Sequence, residues 1–309
     1  MSAARAVVFA YHDVGVRCLR TLLSGGLEVP LIVTVHDDPA ERQWFASVAA
    51  VAREYGIEAL TPDDAADPAL IGRVRGLEPD FIFSFYYRSM LPEPLLACAR
   101  RGALNMHGSL LPKYRGRAPV NWAIVNGERE TGATLHYMVG RADAGDIVDQ
   151  LAVPILEDDD AREVFGKVTV AAEIVLARSL PGLIAGTAPR RAQRLAAGQY
   201  FGRRRPEDGR IDWSLPGARI HDLVRAVAPP FPGAFGDVGG RRWWIHRTRI
   251  DARGGPALER ARLEGAHGIC HVACRDGVRL RILAAESAEG PIDLARAARE
   301  LENRPLLLG

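Results

Sequence analysis

Residues 103–119 read Ala103-Leu-Asn105-Met-His107-Gly-Ser109-Leu-Leu-Pro112-Lys-Tyr114-Arg-Gly116-Arg-Ala-Pro119. The apolar lead-in is typical of the end of a buried strand, and Gly108, Pro112 and Gly116 force a loop after it. Asn105 and His107 are two residues apart, so on a strand their side chains point to the same face. An amide and an imidazole side by side suit a reaction with a developing oxyanion and a mobile proton. We therefore take this strand end as the candidate catalytic site.

Apolar runs that can form buried strands alternate with helical stretches before this loop. We expect strands at 5–10, 29–35, 80–85 and 104–107, and helices at 16–24 and 44–55. This alternation predicts an α/β fold with a doubly wound, Rossmann-like sheet, in which ligands gather at the carboxyl ends of the strands. The first turn contains Gly15 but lacks Gly-x-Gly-x-x-Gly, so a nicotinamide dinucleotide is not expected.

The chain length of 309 residues suits one large or two ordinary domains, and 48% hydrophobic residues is ample for a core. We expect a catalytic domain at 1–189, a linker at 190–205 and a C-terminal domain at 206–309 with a helical tail. A helix at 161–183 closes the first domain, and short alternating segments from 234 to 284 predict a small antiparallel barrel. The linker is rich in arginine; such a run is usually a solvated face, but an anionic ligand or RNA stays open.

Composition and cysteine usage narrow the class of protein. The formal net charge is only +2, which does not by itself indicate a nucleic-acid partner. No leader-like segment and no run of eighteen apolar residues occurs, so we expect a cytoplasmic protein without membrane insertion. Cys270 and Cys274, with His267 and His271 nearby, could bind a metal. Because that segment alternates like a strand and has no second ligand pair, we expect free thiols and no metal.

A second loop, at 140–147, carries two carboxylates after a β-rich segment that contains His136. Asp143 is the candidate partner of His107, because a carboxylate beside an imidazole raises its pKa and fixes its tautomer. A solvated loop aspartate is the alternative that these residues alone leave open. We expect His136 to line or back the cleft rather than to act as a second base.

The run Asn105-x-His107-x-Ser109-Leu-Leu-Pro112-x-Tyr114-Arg115-Gly116 resembles the signature of the formyltransferases that use N10-formyltetrahydrofolate. Asp143-Ala-Gly145-Asp146-Ile147 is similar to the loop of that family that closes on the histidine. The segment Ile211-Asp-Trp213, followed by Arg225-Ala-Val-x-Pro-x-Phe-Pro-Gly233, resembles the start of the family's C-terminal OB-like domain. The resemblance covers residues 5 to about 285, and it implies a Rossmann-like sheet followed by a small OB-like β-barrel domain.

The resemblance also implies roles for individual residues. Asn105 would hold the oxyanion, His107 would move the proton as general base and acid, and Asp143 would orient His107. Direct attack by an amine is expected, since Ser109 lacks the Gly-x-Ser-x-Gly elbow of a nucleophile. Substrate binding is assigned to Tyr114, Arg115 and Arg117. The folate co-substrate is assigned to Ser89, Met90, Leu91, Val139, Gly140, Arg141, Ala142 and Asp143.

Four stretches of the sequence indicate the branch of the family. Methionyl-tRNA formyltransferases generally carry a long basic insertion after the second strand, whereas 36–44 is short and net acidic here. Residues 8–15, 83–88 and 115–122 resemble the formyltransferase half of the bifunctional enzyme that acts on UDP-4-amino-4-deoxy-L-arabinose. That resemblance implies lipid A modification and polymyxin resistance, with a nucleotide-sugar substrate, no nucleic-acid partner and a separate chain as a candidate source of the decarboxylase.

Four alternatives remain at this stage. The acceptor could be another nucleotide-linked aminosugar, or charged initiator tRNA bound through the arginine-rich linker. The protein could instead hydrolyse formyl-folate, a reaction that would use the same Asn, His and Asp. It could also be a non-catalytic sensor of folate or nucleotide sugar.

Overall fold

The computed structural model of the protein describes residues 3–37, 43–302 and 304–309. Contacts divide the chain into two compact units that alternate along the sequence. The first unit comprises Met1–Pro119, Glu130–Pro154 and Gly166–Gly202, and the second comprises Val120–Arg129, Ile155–Phe165 and Arg203–Gly309. Most of the expected linker at 190–205 therefore packs within the first unit, because its backbone pairs with that unit's strands.

The first unit is built on a seven-stranded sheet and a separate two-stranded ribbon. Its strands are β1 (Arg5–Ala10), β2 (Glu28–Val33), β3 (Glu58–Leu60), β4 (Phe81–Phe85), β5 (Gly102–His107), β6 (Arg115–Gly116), β7 (Glu130–Tyr137), β8 (Ile147–Pro154) and β9 (Tyr200–Phe201). The helices of the chain, in order, are α1 (His12–Ser24), α2 (Val48–Glu54), α3 (Pro68–Gly76), α4 (Glu93–Leu96), α5 (Pro119–Val125), α6 (Ala161–Ala185), α7 (Gly217–Ala226) and α8 (Leu294–Leu301).

The strand order in the large sheet is β3-β2-β1-β4-β5-β7-β8. Strands β1 to β5 are parallel, whereas β7 pairs antiparallel with β5, and the edge strand β8 pairs antiparallel with β7. The chain builds outward from β1 to β3 and then returns to the other side of β1, so its direction of winding switches between β1 and β4. Crevices at the carboxyl ends of the strands beside such a switch are the usual ligand sites. The predicted doubly wound α/β sheet is confirmed.

Burial explains why these apolar runs form central strands. Phe9, Ile82, Phe83 and Leu104 are fully buried, which is typical of parallel strands covered by helices on both faces. The edge strand β3 has only three residues and is mostly exposed, and the sequence pattern did not predict it.

The second unit contains an antiparallel sheet, as expected for the C-terminal β domain. Its strand order is β10-β11-β14-β13-β12-β16, with β15 paired to β14. The described pairings form an open path rather than a closed ring. These strands are β10 (Ala234–Val238), β11 (Arg241–Ala252), β12 (Arg262–Ala266), β13 (Ile269–Ala273), β14 (Arg279–Ser287), β15 (Gly290–Pro291) and β16 (Leu306–Leu307).

The C-terminal tail is part of the core of the second unit. Helix α8 begins at an Asp293 cap, whose carboxylate accepts from the N–H of Arg296 at 3.0 Å. The helix lies against β12, where a Cβ at Gly265 would overlap the carbonyl of Ala298. Strand β16 then pairs with β12, and Leu308 is buried. The predicted helical tail therefore completes the packing of this sheet.

Helix α6 is, within the described residues, the one helix long and apolar enough to cross a membrane by length and composition. The core helix of a soluble protein passes the same test. Its apolar stripe, which includes Val164, Val168, Val175 and Leu176, is fully buried in the protein. The helix also carries charged residues, and Glu173 pairs with Arg17 of α1 at 2.6 Å.

Candidate active site

Strand β5 places the two predicted catalytic side chains at the carboxyl edge of the sheet. It lies between β4 and β7, with Asn105 opposite Ser84 on one side and opposite His136 on the other. His107 is the last residue of the strand and is buried. Directly opposed residues on antiparallel strands have their side chains on the same face, so β7 brings His136 beside Asn105.

Asp143 lies in the loop that joins β7 to β8, in the left-handed region at φ +50°. The base of the loop is closed by the N–H of Tyr137, which donates to the carbonyl of Asp146 at 2.9 Å. The side-chain amide of Gln193 donates to the carbonyl oxygens of Asp143 at 3.1 Å and of Gly145 at 2.6 Å. A Cβ at Gly145 would overlap the Tyr137 carbonyl, so glycine is required there. These contacts hold the carboxylate in a fixed place.

The imidazole of His107 and the carboxylate of Asp143 lie close together. His107 Nδ1 lies 3.5 Å from Asp143 Oδ1. On the other side of the ring, His107 Nε2 donates to the carbonyl of Tyr114 at 2.8 Å. Since a carbonyl can only accept, Nε2 carries a hydrogen, and Nδ1 is the nitrogen that faces the carboxylate.

The Asp143 carboxylate is ionised although it is largely buried. Burial by itself raises its pKa, but the neighbouring His107 and His136 side chains and the N–H of Gly116 together hold the pKa well below its usual range. The Gly116 N–H donates to Asp143 Oδ2 at 2.8 Å. A fixed negative charge therefore faces the histidine.

His136 belongs to the same cluster. Its Nε2 lies 3.2 Å from Asn105 Nδ2 and 3.5 Å from Asp143 Oδ1. Its Nδ1 donates to the carbonyl of Tyr137 at 2.8 Å, and the residue is fully buried. The sequence predicted only that His136 lines or backs the cleft. Its contact with Asn105 depends on the register of β7 against β5, which no local pattern encodes.

Ser109 has a structural contact in this loop. Its hydroxyl donates to the carbonyl of Lys113 at 2.6 Å, and its own carbonyl accepts from the Thr134 hydroxyl at 2.6 Å. The residue is fully buried. With its hydrogen committed to a carbonyl, Ser109 lacks the arrangement of an activated nucleophile.

The three residues assigned to substrate binding lie in different environments. Tyr114 is buried and stacks on Phe201, with ring centroids 5.0 Å apart. Arg115 is only 4% exposed, and its guanidinium donates to the carbonyls of Leu195 and Gly198 at 3.3 and 3.4 Å. Arg117 alone of the three is exposed, and it donates to the carbonyl of Arg88 at 3.2 Å. A substrate contact thus fits the position of Arg117 better than that of Arg115.

The segments assigned to the folate lie next to each other. A Cβ at Gly140 would meet the carboxylate of Glu93, so the β7–β8 loop lies against the segment after β4. Met90 is 62% exposed and Val139 is 46% exposed. Ser89 and Arg141 are also exposed and Ala142 is half-buried, whereas Leu91 packs into the core of the sheet. Two exposed apolar side chains on adjacent loops suit a flat, largely apolar ring.

The cysteine–histidine segment of the second unit holds two free, buried thiols. Burial raises the pKa of Cys270 to about 11, and burial together with Asp276 raises that of Cys274 to about 12. Within 3–37, 43–302 and 304–309, no group of three or more His, Cys, Asp or Glu side chains could hold a metal ion. The acidic segment 36–44 lies in part outside the described residues, since 38–42 are not among them.

Two family models match the chain. Residues 4–180 match the model described as formyl transferase, and residues 204–298 match the formyl transferase C-terminal domain. The first match contains Asn105, His107 and Asp143, and it spans more than half of the chain.

Solved structures share the fold. The N-formyltransferase from Helicobacter canadensis, in complex with folinic acid and dTDP-3-aminofucose, has a TM-score of 0.69 at 20% identity over 91% of this chain and 99% of that chain. WlaRD, a sugar 3N-formyltransferase in the presence of dTDP and 5-N-formyl-THF, has a TM-score of 0.71 at 18% identity over 93% and 99%. A 4-N formyltransferase from Francisella tularensis has a TM-score of 0.63 at 20% identity over 77% and 95%. With both domain models matched in order, the chain belongs to the formyl transferase family and is an enzyme of that family.

Proposed function

We propose that the protein transfers a formyl group from N10-formyltetrahydrofolate to the 4-amino group of a UDP-linked aminosugar, UDP-4-amino-4-deoxy-L-arabinose being the preferred acceptor. The observation that carries the proposal is the convergence of Asn105, His107 and Asp143 at one carboxyl edge of the sheet. An oxyanion donor, a proton carrier and a fixed carboxylate are the groups that acyl transfer to an amine requires.

The residues divide the work of the transfer. N10-formyltetrahydrofolate supplies the formyl carbon when bound. Asn105 donates an amide N–H to the oxygen that becomes negative as the amine attacks. His107 takes the proton that the attacking nitrogen loses and returns it to the departing nitrogen. Asp143 faces His107 Nδ1 and stabilises the imidazolium between these two steps. An oxyanion donor is typically worth about 10²–10³-fold in kcat.

The residues present fit the folate. Met90 and Val139 offer exposed apolar surface on adjacent loops, which a pterin ring could cover. The exposed side chain of Arg117 donates to the carbonyl of Arg88, two residues before Met90. A guanidinium in this position suits a carboxylate or a phosphate. Asp143 joins the two halves of the site, because its loop carries Val139 and its carboxylate faces the catalytic side chains.

The choice of a nucleotide sugar over tRNA is supported by how the chain uses its arginines. Arg190 lies over the ring of Tyr137, 3.8 Å from its centroid, and Arg191 donates to the carbonyl of Val148 at 3.1 Å. Arg204 lies over the ring of Trp122. These cations of the 190–205 segment make contacts within their own units, which leaves fewer of them for a phosphate backbone.

The acceptor amine is the point to test. The full chain is incubated with N10-formyltetrahydrofolate and, in parallel, UDP-4-amino-4-deoxy-L-arabinose, dTDP-linked 3-amino and 4-amino sugars, charged initiator methionyl-tRNA, or no acceptor. Mass spectrometry then follows the gain of one formyl group, and formate release reports hydrolysis. Formylation of the UDP-4-amino sugar with the highest kcat/KM supports the proposal. Formylation of tRNA alone, or formate release without an acceptor, would refute it.

A role in lipid A modification is the expected consequence of this activity. Formylation removes the basicity of the sugar's amine at the nucleotide stage, so another reaction must remove the formyl group before the sugar can carry a positive charge. We propose a cytoplasmic location for the transfer. Loss of polymyxin resistance on deletion of the coding sequence, restored by the wild type but not by a His107→Ala variant, is the expected result.

A further inference from the structure

Four nitrogen atoms surround the carboxylate of Asp143, and one of them comes from a residue that the transfer chemistry above does not use. Oδ1 has Asn105 Nδ2 at 3.3 Å, His107 Nδ1 at 3.5 Å and His136 Nε2 at 3.5 Å, while Oδ2 accepts from the Gly116 N–H. His136 is the most deeply buried of the three side chains. Its contact with Asn105 is also shorter than its distance to the carboxylate.

The tautomer of His136 follows from its second contact. Nδ1 lies 2.8 Å from the carbonyl of Tyr137, and a carbonyl can only accept, so the hydrogen of the neutral ring lies on Nδ1. Nε2 then presents a lone pair. Asn105 Nδ2 is the donor within reach of that lone pair, at 3.2 Å.

This arrangement fixes which end of the Asn105 amide enters the cluster. Its nearest partners there, His136 Nε2 and Asp143 Oδ1, are both acceptors. Were the amide rotated by a half turn, its oxygen would face two acceptors and gain no hydrogen bond. His136 Nε2 and Asp143 Oδ1 lie only 3.5 Å from each other, so one N–H of Asn105 serves both. The second N–H of Asn105 then remains for the oxyanion.

We infer that His136 is a positioning residue for the transfer: its Nε2 lone pair holds the Asn105 amide so that the second N–H points at the reacting oxygen. The inference rests on the proposed function, since it assigns the oxyanion to Asn105. It departs from a base role, because the Nε2 lone pair is occupied by the amide. It also departs from a purely structural role, because the contact is with a reacting group.

The kinetic test uses two variants and a second background. His136→Leu removes the acceptor, whereas His136→Gln keeps an oxygen acceptor near the position of Nε2. We expect His136→Leu to lower kcat by at least about tenfold. The largest loss expected is that of the oxyanion donor itself, about 10²–10³-fold. KM for both substrates should change by less than threefold, and His136→Gln should recover most of kcat. In an Asn105→Ala background, His136→Leu should cost almost nothing further.

Several outcomes would overturn the inference. Losses that multiply in the double variant would show that His136 acts independently of Asn105. A raised KM at unchanged kcat would assign His136 to binding. A shifted acid limb of the kcat profile in His136→Gln would indicate a base. Thermal unfolding of each variant separates these results from loss of the folded protein, and failure of His136→Gln to recover kcat at wild-type stability also counts against the inference.

A spectroscopic measurement gives a reading that needs no turnover. Nitrogen-15 NMR of the free wild-type protein at neutral pH should show His136 as the Nδ1–H tautomer, with a hydrogen-bonded Asn105 side-chain N–H that is lost in His136→Leu. An Nε2–H tautomer would overturn the inference even if transfer is observed. If the wild type formylates no amine, the proposed function is refuted. The tautomer then still decides whether His136 Nε2 accepts from Asn105.

Discussion

Nδ1 of His107 lies 3.5 Å from Oδ1 of Asp143, although the two residues come from a parallel strand and from a loop at the antiparallel edge of the sheet. The other ring nitrogen is committed to the Tyr114 carbonyl. A proton taken up by His107 must therefore be placed on Nδ1, which faces the Asp143 carboxylate. Asp143 thus acts on both the orientation of the ring and the energy of its charged form.

Replacement of Asp143 by asparagine should abolish most of the transfer with little loss of fold. The variant keeps the shape of the side chain but removes the charge that stabilises the imidazolium, so we expect kcat to fall by about 10²–10⁴-fold. Steady-state formylation measures the effect. The matched control is Asp146→Asn in the same loop, whose carboxylate is partly exposed and lies 3.9 Å from Arg190. Equal losses in both variants would mean that the loop as a whole, rather than the Asp143 charge, supports turnover.

Many strands of the first unit could be predicted because each corresponds to a short apolar run in the sequence. The runs that form β1, β2 and β4 are mostly apolar, as is typical of parallel strands buried on both faces; the polar residues among them are Arg5, Glu28 and Ser84. Strand β3 and strand β16 escaped prediction for a physical reason: they contain three and two residues, too few to show a period. Both are defined by the neighbour they pair with, β2 and β12 respectively.

The catalytic cluster was predictable only in part. Asn105 and His107 share a strand, so their spacing puts both side chains on one face. The positions of His136 and Arg115, unlike those of Asn105 and His107, depend on partners that are distant in the sequence. His136 meets Asn105 through the register of β7, and Arg115 is buried because β6 pairs with β9 some distance along the chain. The resemblance assigns Arg115 to substrate binding, whereas the long-range pairing of β6 with β9 buries its side chain.

Replacement of Ser109 by alanine tests the expectation of direct attack. The Ser109 hydroxyl is buried and donates to the Lys113 carbonyl, so its loss should lower the free energy of unfolding by about 1–2 kcal/mol. We expect kcat within about tenfold of the wild type, because no step in the transfer needs an acyl-serine. Denaturant unfolding and pre-steady-state formylation measure the two effects. A burst of formylated enzyme in the wild type that disappears in the variant would contradict direct attack.

Gly116 should tolerate no side chain. Its φ is +100°, and a Cβ there would overlap the carbonyl of Phe201 across the β6–β9 pair. The same residue donates its N–H to Asp143 Oδ2. Gly116→Ala should therefore lower the free energy of unfolding by about 1–3 kcal/mol through strain and lower kcat by displacing the carboxylate. Gly202→Ala is the control, since a Cβ there meets nothing within 4 Å. Wild-type stability and kcat in Gly116→Ala would show that the β6–β9 ribbon is not coupled to the site.

Because of His12, the free energy of unfolding should decrease as the pH is lowered from 6.5 to 3. This residue begins α1, stacks on Phe45 with ring centroids 4.0 Å apart, and accepts the Asp13 N–H at its Nδ1 at 2.9 Å. Burial, aided by the charge of Arg88, lowers the pKa of His12 to about 3. In the unfolded chain the imidazole binds a proton at about pH 6.5, whereas the folded protein does not. The unfolded state therefore gains protons first as pH falls, and stability declines by up to about 1.4 kcal/mol per pH unit within that window.

His12→Asn isolates this contribution to the pH dependence. Asparagine does not titrate and tolerates the positive φ of +67° at this position. The variant should be less stable than the wild type at pH 7.5, because it loses the aromatic packing. Its free energy of unfolding, measured with urea at pH 7.5, 6.5, 5.5 and 4.5, should fall less steeply, so that the gap to the wild type narrows on acidification. His36→Asn, at an exposed histidine, serves as the control and should leave the slope unchanged. Parallel slopes for His12→Asn and the wild type would mean that folded His12 takes up its proton as readily as the unfolded chain does, and the burial argument would then fail.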